Sequence, residues 1–165
     1  MDAARWELAD AGAAEEVARL WARATARRGD RPLPADASPE VLVAVRDRLS
    51  LPGAVVLLGR GAGQLVASGV GTPGEPAEDG TRPAVLSLVA VAPERWGAGW
   101  GRAVLRRLEE ELVRAGHVRG ELQVLCGNAD AVRLYEAAGW HRLPREPAPH
   151  PDGRQVAYGK DRLAS

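Results

Sequence analysis

Two stretches of this sequence combine residue types and spacings that suit chemistry. The first, RWGAGWGRAVLRRLEEEL, runs from Arg95 to Leu112 and places glycines at Gly97, Gly99 and Gly101 ahead of an evident helix. Helix N-termini carry unpaired N–H groups and the positive end of the helix dipole. Glycines permit tight turns and keep side chains out of the way. Together they make an anion site suited to phosphates, although the same pattern alone also describes a plain strand-to-helix turn. The second stretch, NADAVRLYEAAGW, runs from Asn128 to Trp140. Asn128 reads as a helix cap and Gly139 as a stop. Ala131, Leu134, Tyr135 and Ala138 fall on one helical face. On that spacing alone Tyr135 reads as a core tyrosine with its hydroxyl satisfied locally.

Two standard nucleotide motifs do not account for the glycine loop. A G-x-G-x-x-G fingerprint begun at Gly97 meets Arg102 at its sixth position, and no G-K-[ST] occurs in the chain. The loop also follows the fourth expected strand, whereas the dinucleotide fold places it after the first.

The elements that must position these stretches follow from periodicity. Arg5 to Leu8 reads as a short strand. GAAEEVARLWARATARR follows as a helix, with Val17, Leu20, Trp21 and Ala24 on its buried face. RGDRPLPAD is a loop. Ser38, Pro39 and Glu40 start a second helix, whose stripe is Leu42, Val45 and Leu49. AVVLLGRGAGQLVASGVG is a hairpin around its glycines. AVLSLVAVAP is a nearly continuous apolar run, as expected of a central strand covered on both faces. The glycine loop and its helix come next, then the strand GELQVLCG and the Asn128 helix. REPAPHPDGR is a loop, and RQVAYGKDRL a final strand. The order β-α-α-β-β-β-α-β-α-β-β predicts an α/β (α+β) mixed sheet flanked by helices.

Composition narrows the function classes. A chain of 165 residues reads as one domain over 1–165. Basic and acidic residues balance at 22 each, which argues against a nucleic-acid or membrane-surface protein. The one cysteine, Cys126, allows neither an internal disulfide nor a cysteine metal cluster, and reads as a core thiol. MDAARWELAD lacks the pattern of a signal peptide, and no apolar run matches a membrane span, so a soluble cytoplasmic protein is expected. His117, His141 and His150 are scattered and read as surface residues, with His150 in a loop that could overhang a site.

The two motifs together resemble those of the GCN5-related N-acetyltransferase (GNAT) family. VAVAPERWGAGWGRAVL is similar to that family's acetyl-CoA motif, V-x-P-x-x-(R/Q)-G-x-G-x-G/A. NADAVRLYEAAGW is similar to its second motif, N-x-x-A-x-x-L-Y-x-x-x-G-(F/W). The match is specific over Leu86 to Trp140. The resemblance implies a mixed, mostly antiparallel sheet of six to seven strands with four helices, and a splay between the fourth and fifth strands, those holding Val91 and Gln123. It implies acetyl-CoA as cosubstrate, with no metal, in that splay. The pantetheine arm would bond to the backbone of Val89, Ala90 and Val91. The pyrophosphate would sit on the amides of Gly97, Ala98, Gly99, Trp100, Gly101 and Arg102. Asn128 matches the family asparagine near the CoA arm, and Tyr135 the tyrosine that protonates the leaving thiolate.

The sequence departs from the family pattern at Trp96, where Arg or Gln is usual. A cationic contact is lost there unless Arg95 or Arg102 supplies it. Trp100 precedes Val104 and Leu108 by four and eight positions, which directs it to the buried side of its helix. The Glu that some members carry on the strand before the Asn is Gln123 here, so a water chain to solvent is the preferred base, with Glu121 the alternative carboxylate. The resemblance implies direct transfer to a primary amine, of a small molecule or a peptide, with the Val91 N–H stabilising the oxyanion. Dimers are frequent in the family, so a homodimer is compatible with it. A non-catalytic acyl-CoA-binding module is the rival reading.

Overall fold

A computed structural model describes residues 3–164. The strands are β1 (Arg5–Ala9), β2 (Val55–Gly61), β3 (Gln64–Pro73), β4 (Ala84–Val91), β5 (Gly120–Leu125), β6 (His141–Arg142), β7 (Ala148–His150) and β8 (Gly153–Lys160). The helices are α1 (Ala14–Arg28), α2 (Pro39–Leu49), α3 (Trp100–Arg114) and α4 (Ala129–Ala137). Short 3₁₀ turns cover Ala11–Ala13 and Pro93–Arg95.

One sheet runs in the order β1-β2-β3-β4-β5-β8-β6, with β7 also paired to β8. Every pair is antiparallel except β4 with β5. Eight strands replace the six to seven expected. The difference lies after Trp140, where β6 has two residues and β7 three, too short for any periodicity to register.

Local signals act as read. Ser38 caps α2 by accepting from the Val41 N–H at 3.3 Å, with Pro39 behind it. The β2–β3 turn is Ala62–Gly63, both with positive φ, the geometry that matches strand twist. The two sheet faces carry separate cores, as the period of two requires. Val56, Leu58 and Val70 pack with Ala14, Val17 and Ala18 of α1 and with Val45 and Leu49 of α2. Leu57 and Ala67 pack with Trp100, Val104, Leu105, Leu108 and Leu112 of α3. Leu42 packs at the edge of the first core as a half-buried side chain.

Cys126 contradicts its expected place in the core: it is exposed. Strand pairing ends at Leu125, and the chain turns there toward the Asn128 cap, so the alternation that buries Leu122 and Val124 stops one residue short of it. No helix among the described residues is long and apolar enough to cross a membrane.

A buried charge ties the last residue of the second motif to α3 and to the C-terminal residues. Glu109 on α3 is 2% exposed. It accepts from the Trp140 indole at 2.8 Å, the Lys160 ammonium at 2.8 Å and the Ala164 amide at 2.7 Å. Breaking one partner of a buried pair strands the other. Glu109→Ala is therefore expected to destabilise the protein by about 3–5 kcal/mol, measured by urea unfolding, and Glu109→Gln by less.

Candidate functional site

The site begins where two strands stop pairing. β4 and β5 run together only over Ala84–Gly120, Val85–Glu121 and Leu86–Leu122. Beyond Leu86, β4 stays with β3 as far as Val91, and β5 stays with β8 as far as Leu125. A bulge sharpens the divergence: the β3 register shifts between Ser68 and Val70, and Leu88 has φ of 52°. The Ser68 hydroxyl donates to the Leu88 carbonyl at 2.9 Å and fixes the bulge.

Alternation sets which backbone groups face the gap. The Ala92 N–H donates to the Val66 carbonyl of β3 at 2.8 Å. Backbone groups alternate sides along a strand, so Val91 and Val89 turn theirs toward the missing partner. The Val91 carbonyl accepts from the Trp96 indole at 2.8 Å. Trp96, at the position where the motif departs, thus ties the glycine loop to the end of β4. The Val91 N–H remains directed at the gap.

The glycine loop is shaped by backbone geometry. Gly97 and Gly99 have φ of +82° and +90°, values that L side chains rarely adopt. Gly101 faces Leu134 on α4, where a Cβ would make ordinary contact at 3.4 Å. The first intrahelical bond of α3 runs from the Ala103 N–H to the Gly99 carbonyl. The amides of Trp100, Gly101 and Arg102 precede it and are open to an anion. Ala98 differs from the sequence expectation. Its amide donates to the Arg95 carbonyl at 3.3 Å, which commits it to the turn. The Trp100 side chain is buried, 5.7 Å from the Trp6 ring, so this residue offers the loop only its amide.

Two joined cavities fill the gap. The larger, about 840 Å³, is lined by Val89, Ala90, Val91, Trp96, Gly97, Gly99, Gly101, Arg102, Asn128 and Tyr135, among others. Nine residues expected to hold the cosubstrate or act on it thus share one wall; Ala98 and Trp100 do not line it. Arg27, Arg28, Arg95 and Arg102 also line it, against the single carboxylate of Asp130. That imbalance suits phosphates. The smaller cavity, about 110 Å³, lies between the diverging strands, from Leu86–Val89 to Leu122–Leu125, and reaches His150 and Gln155. Trp21, Arg28, Val89, Asn128, Ala131 and Tyr135 line both.

Tyr135 therefore stands at the junction. Burial pushes its hydroxyl up to about 12, against a smaller lowering by Arg28. Its ring meets Trp140 edge-on at 6.2 Å. Asn128 caps α4 by accepting from the Ala131 N–H at 3.3 Å, so its carboxamide oxygen is committed to the helix. Thr25 Oγ1 and Ser87 Oγ, one in each cavity, are buried without a hydrogen-bond partner. Buried hydroxyls ordinarily find partners, so both are open to a polar occupant of the cavities they line.

The base candidates separate on geometry. Glu121 accepts from both arms of Arg145, at 2.8 and 3.1 Å, and lines neither cavity. Gln123 lines the smaller cavity but has no acidic group. His150 accepts the Asp152 N–H on Nδ1 at 3.1 Å, which leaves the proton of a neutral ring on Nε2. His117 and His141 line neither cavity. Arg28, Thr25 and Gln155 are among the lining residues that motif reading did not assign to the site. For Arg28 a signal exists, since it falls seven residues after Trp21 on the same helix face.

The splayed parallel pair thus carries a glycine loop and a helix after one strand, and a helix with a buried tyrosine after the other. The profile of the acetyltransferase (GNAT) family matches residues 15–140, and the chain belongs to that family. A ribosomal protein bS18-alanine N-acetyltransferase of Escherichia coli is 38% identical over 76 residues, 45% of this chain and 51% of its own length. The chain thus spans about half the length of the curated relatives it matches. Among solved structures, YncA of Salmonella typhimurium, a putative acetyltransferase with its cofactor acetyl-CoA, superposes with a TM-score of 0.71 at 18% identity, covering 99% of this chain and 95% of that one. The ribosomal-protein-S18-alanine N-acetyltransferase of Escherichia coli gives 0.71 at 22% identity, covering 98% and 96%. These likenesses establish the same fold.

The burial of Tyr135 has a measurable consequence. Tyr158, bonded to Glu136 at 2.9 Å, is also raised, by burial first and then by that carboxylate. Both of the chain's tyrosines should therefore resist ionisation near the ordinary value of about 10. A phenol raised in the fold stabilises it fully below that value and loses the contribution as pH climbs through the folded value. For Tyr135, raised to about 12, the loss is about 3 kcal/mol. Ultraviolet titration should show tyrosinate appearing only well above pH 10; a reversible step centred near 10 would contradict this.

Proposed function

We propose that the protein is an N-acetyltransferase that moves an acetyl group from acetyl-CoA to a primary amine by direct attack in a ternary complex. The observation that carries this reading is the single cavity in which the unpaired edge of β4, the glycine loop and Tyr135 meet. In this reading the pantetheine arm lies along β4 as a partial extra strand, bonding to Val89 and Val91. The pyrophosphate lies on the amides of Gly97, Gly99, Trp100, Gly101 and Arg102, where the dipole of α3 favours its charge. Arg95 and Arg102 add the cations that Trp96 does not. The reaction needs no metal.

The neutral amine attacks the thioester carbon. A C–N bond forms, and the carbonyl oxygen takes the developing charge beside the Val91 N–H. The C–S bond then breaks. The nitrogen releases a proton to solvent through the smaller cavity, whose lining holds no carboxylate among the described residues. The thiolate takes a proton from Tyr135, which solvent restores. A phenol near 12 facing a thiol near 8.5 leaves a gap of about 5 kcal/mol for full transfer. Desolvation raises a thiolate's proton affinity too, so the gap narrows in the closed site. The same burial keeps Tyr135 protonated at every pH where an amine is reactive.

The curated relatives' name specifies an alanine of a ribosomal protein as acceptor. Peptide amines and small-molecule amines both present the nucleophile required. Gln123 and Trp96 favour the second reading, a non-catalytic acyl-CoA-binding module. Tyr135→Phe separates the two. A catalyst should lose about 10²–10⁴-fold in kcat with acetyl-CoA affinity nearly unchanged. A binder has no turnover to lose, and turnover that survives the change would remove Tyr135 from the mechanism. Trp96→Phe, which keeps the ring and deletes the bond to Val91, should weaken acetyl-CoA about two- to tenfold in calorimetric titration.

A further inference from the structure

The smaller cavity limits the acceptor in size and in charge. At about 10–15 Å³ for each enclosed water, its 110 Å³ has room for roughly seven to eleven non-hydrogen atoms. Its polar lining is Arg28, Ser87, Gln123, Asn128, Tyr135, His150 and Gln155, with no carboxylate. A site built for a polycationic acceptor would be expected to show the opposite sign.

Arg28 is the group that decides. It ends α1, lines both cavities, and lies close enough to Tyr135 to influence its hydroxyl. Half-burial of the guanidinium works against its charge, and among the described residues no carboxylate forms an ion pair with it. The nearest acidic influence is Asp152 on the β7–β8 turn, which is itself paired with Arg31 at 3.9 Å. His150, at the end of β7, adds an Nε2–H donor when its ring is neutral, because Nδ1 accepts from the Asp152 N–H. Ser87 adds a buried hydroxyl without a partner. A half-buried guanidinium fork with neutral donors beside it matches a carboxylate, which Arg can grip through two parallel bonds.

We propose that the acceptor is a small amine bearing its own carboxylate, a free amino acid or close analogue, held by Arg28 at the junction of the two cavities. This rests on the acetyl-transfer reading above. The carboxylate fixes one end of the molecule, and the amine, two bonds away, is presented to the thioester carbon beside β4. Acetylation then proceeds as written, with C–N formed, C–S broken, one proton leaving nitrogen and one reaching sulfur. The acceptor class named for the curated relatives differs: a peptide has an amide where an amino acid has its carboxylate.

The test uses the full chain with saturating acetyl-CoA and follows thiol release. The panel pairs each L-amino acid with its amide and its decarboxylated amine, and includes a C-terminally amidated peptide with an N-terminal alanine. Free acids should exceed their amides by at least about tenfold in kcat/KM, the scale of one charge-assisted bond. Arg28→Gln should collapse that preference by raising KM for the acids, and Arg28→Lys should keep part of it. Equal or better turnover of amides or of the peptide would overturn the proposal while leaving acetyl transfer intact. So would an Arg28→Gln change that weakens acetyl-CoA and leaves the acid-to-amide ratio unaltered. Bound acetyl-CoA with no thiol release from any amine would overturn acetyl transfer and this proposal together.

Discussion

The structure depends on a sheet that stops pairing along one line. β4 and β5 share three residue pairs and then part, each held by its other neighbour. Backbone N–H and C=O groups are obligatory hydrogen-bonding groups, so an unpaired strand edge inside a fold calls for a partner. β3 keeps β4 on its course, and the bulge at Leu88, fixed by Ser68, keeps it from closing onto β5. β8 holds β5 on the other side as far as Leu125. The gap is a property of the sheet, and its walls are rigid elements.

The helices around the gap follow from it. A parallel pair needs a crossover, and α3 supplies it. The turn into α3 falls at the end of β4 and the turn into α4 at the end of β5, so both helix N-termini flank one opening. Gly97 and Gly99 supply the positive φ values that the first turn uses, and Gly101 faces Leu134 on α4. Tyr135 rides on the inner face of α4 and is buried because that face closes on the core through Trp140. Glu109 fixes Trp140 and Lys160 from α3. Glycine-loop helix and tyrosine are in this way coupled through buried contacts.

Much of this was legible from the residues. Glycine spacing and the Asn-to-Trp stretch located the two helix starts, because helix caps and turn glycines are local physics. The buried face of Trp100 followed from its spacing to Val104 and Leu108. What the chain did not announce depends on distant partners. The bulge at Leu88 arises from pairing with β3, the two shortest strands exist only because β8 accepts them, and the commitment of the Ala98 amide to Arg95 is a turn detail. Cys126 looked like a core residue because its strand was read two residues too long. Arg28 belongs to neither motif, and only the packing of α1 against β4 brings it to the cavity that Tyr135 lines. Trp96 read as a lost cation; in the fold it is a tie to Val91.

The central claim is that the open edge of β4 and the glycine loop together hold acetyl-CoA. Residue-resolved amide hydrogen exchange with and without acetyl-CoA tests it most directly. The account predicts new protection at the amides of Val89, Val91, Gly97, Gly99 and Trp100 to Arg102, with Ala98 little changed because its amide is already bonded. Protection absent from β4 while present elsewhere, or no change at saturating acetyl-CoA, would contradict it.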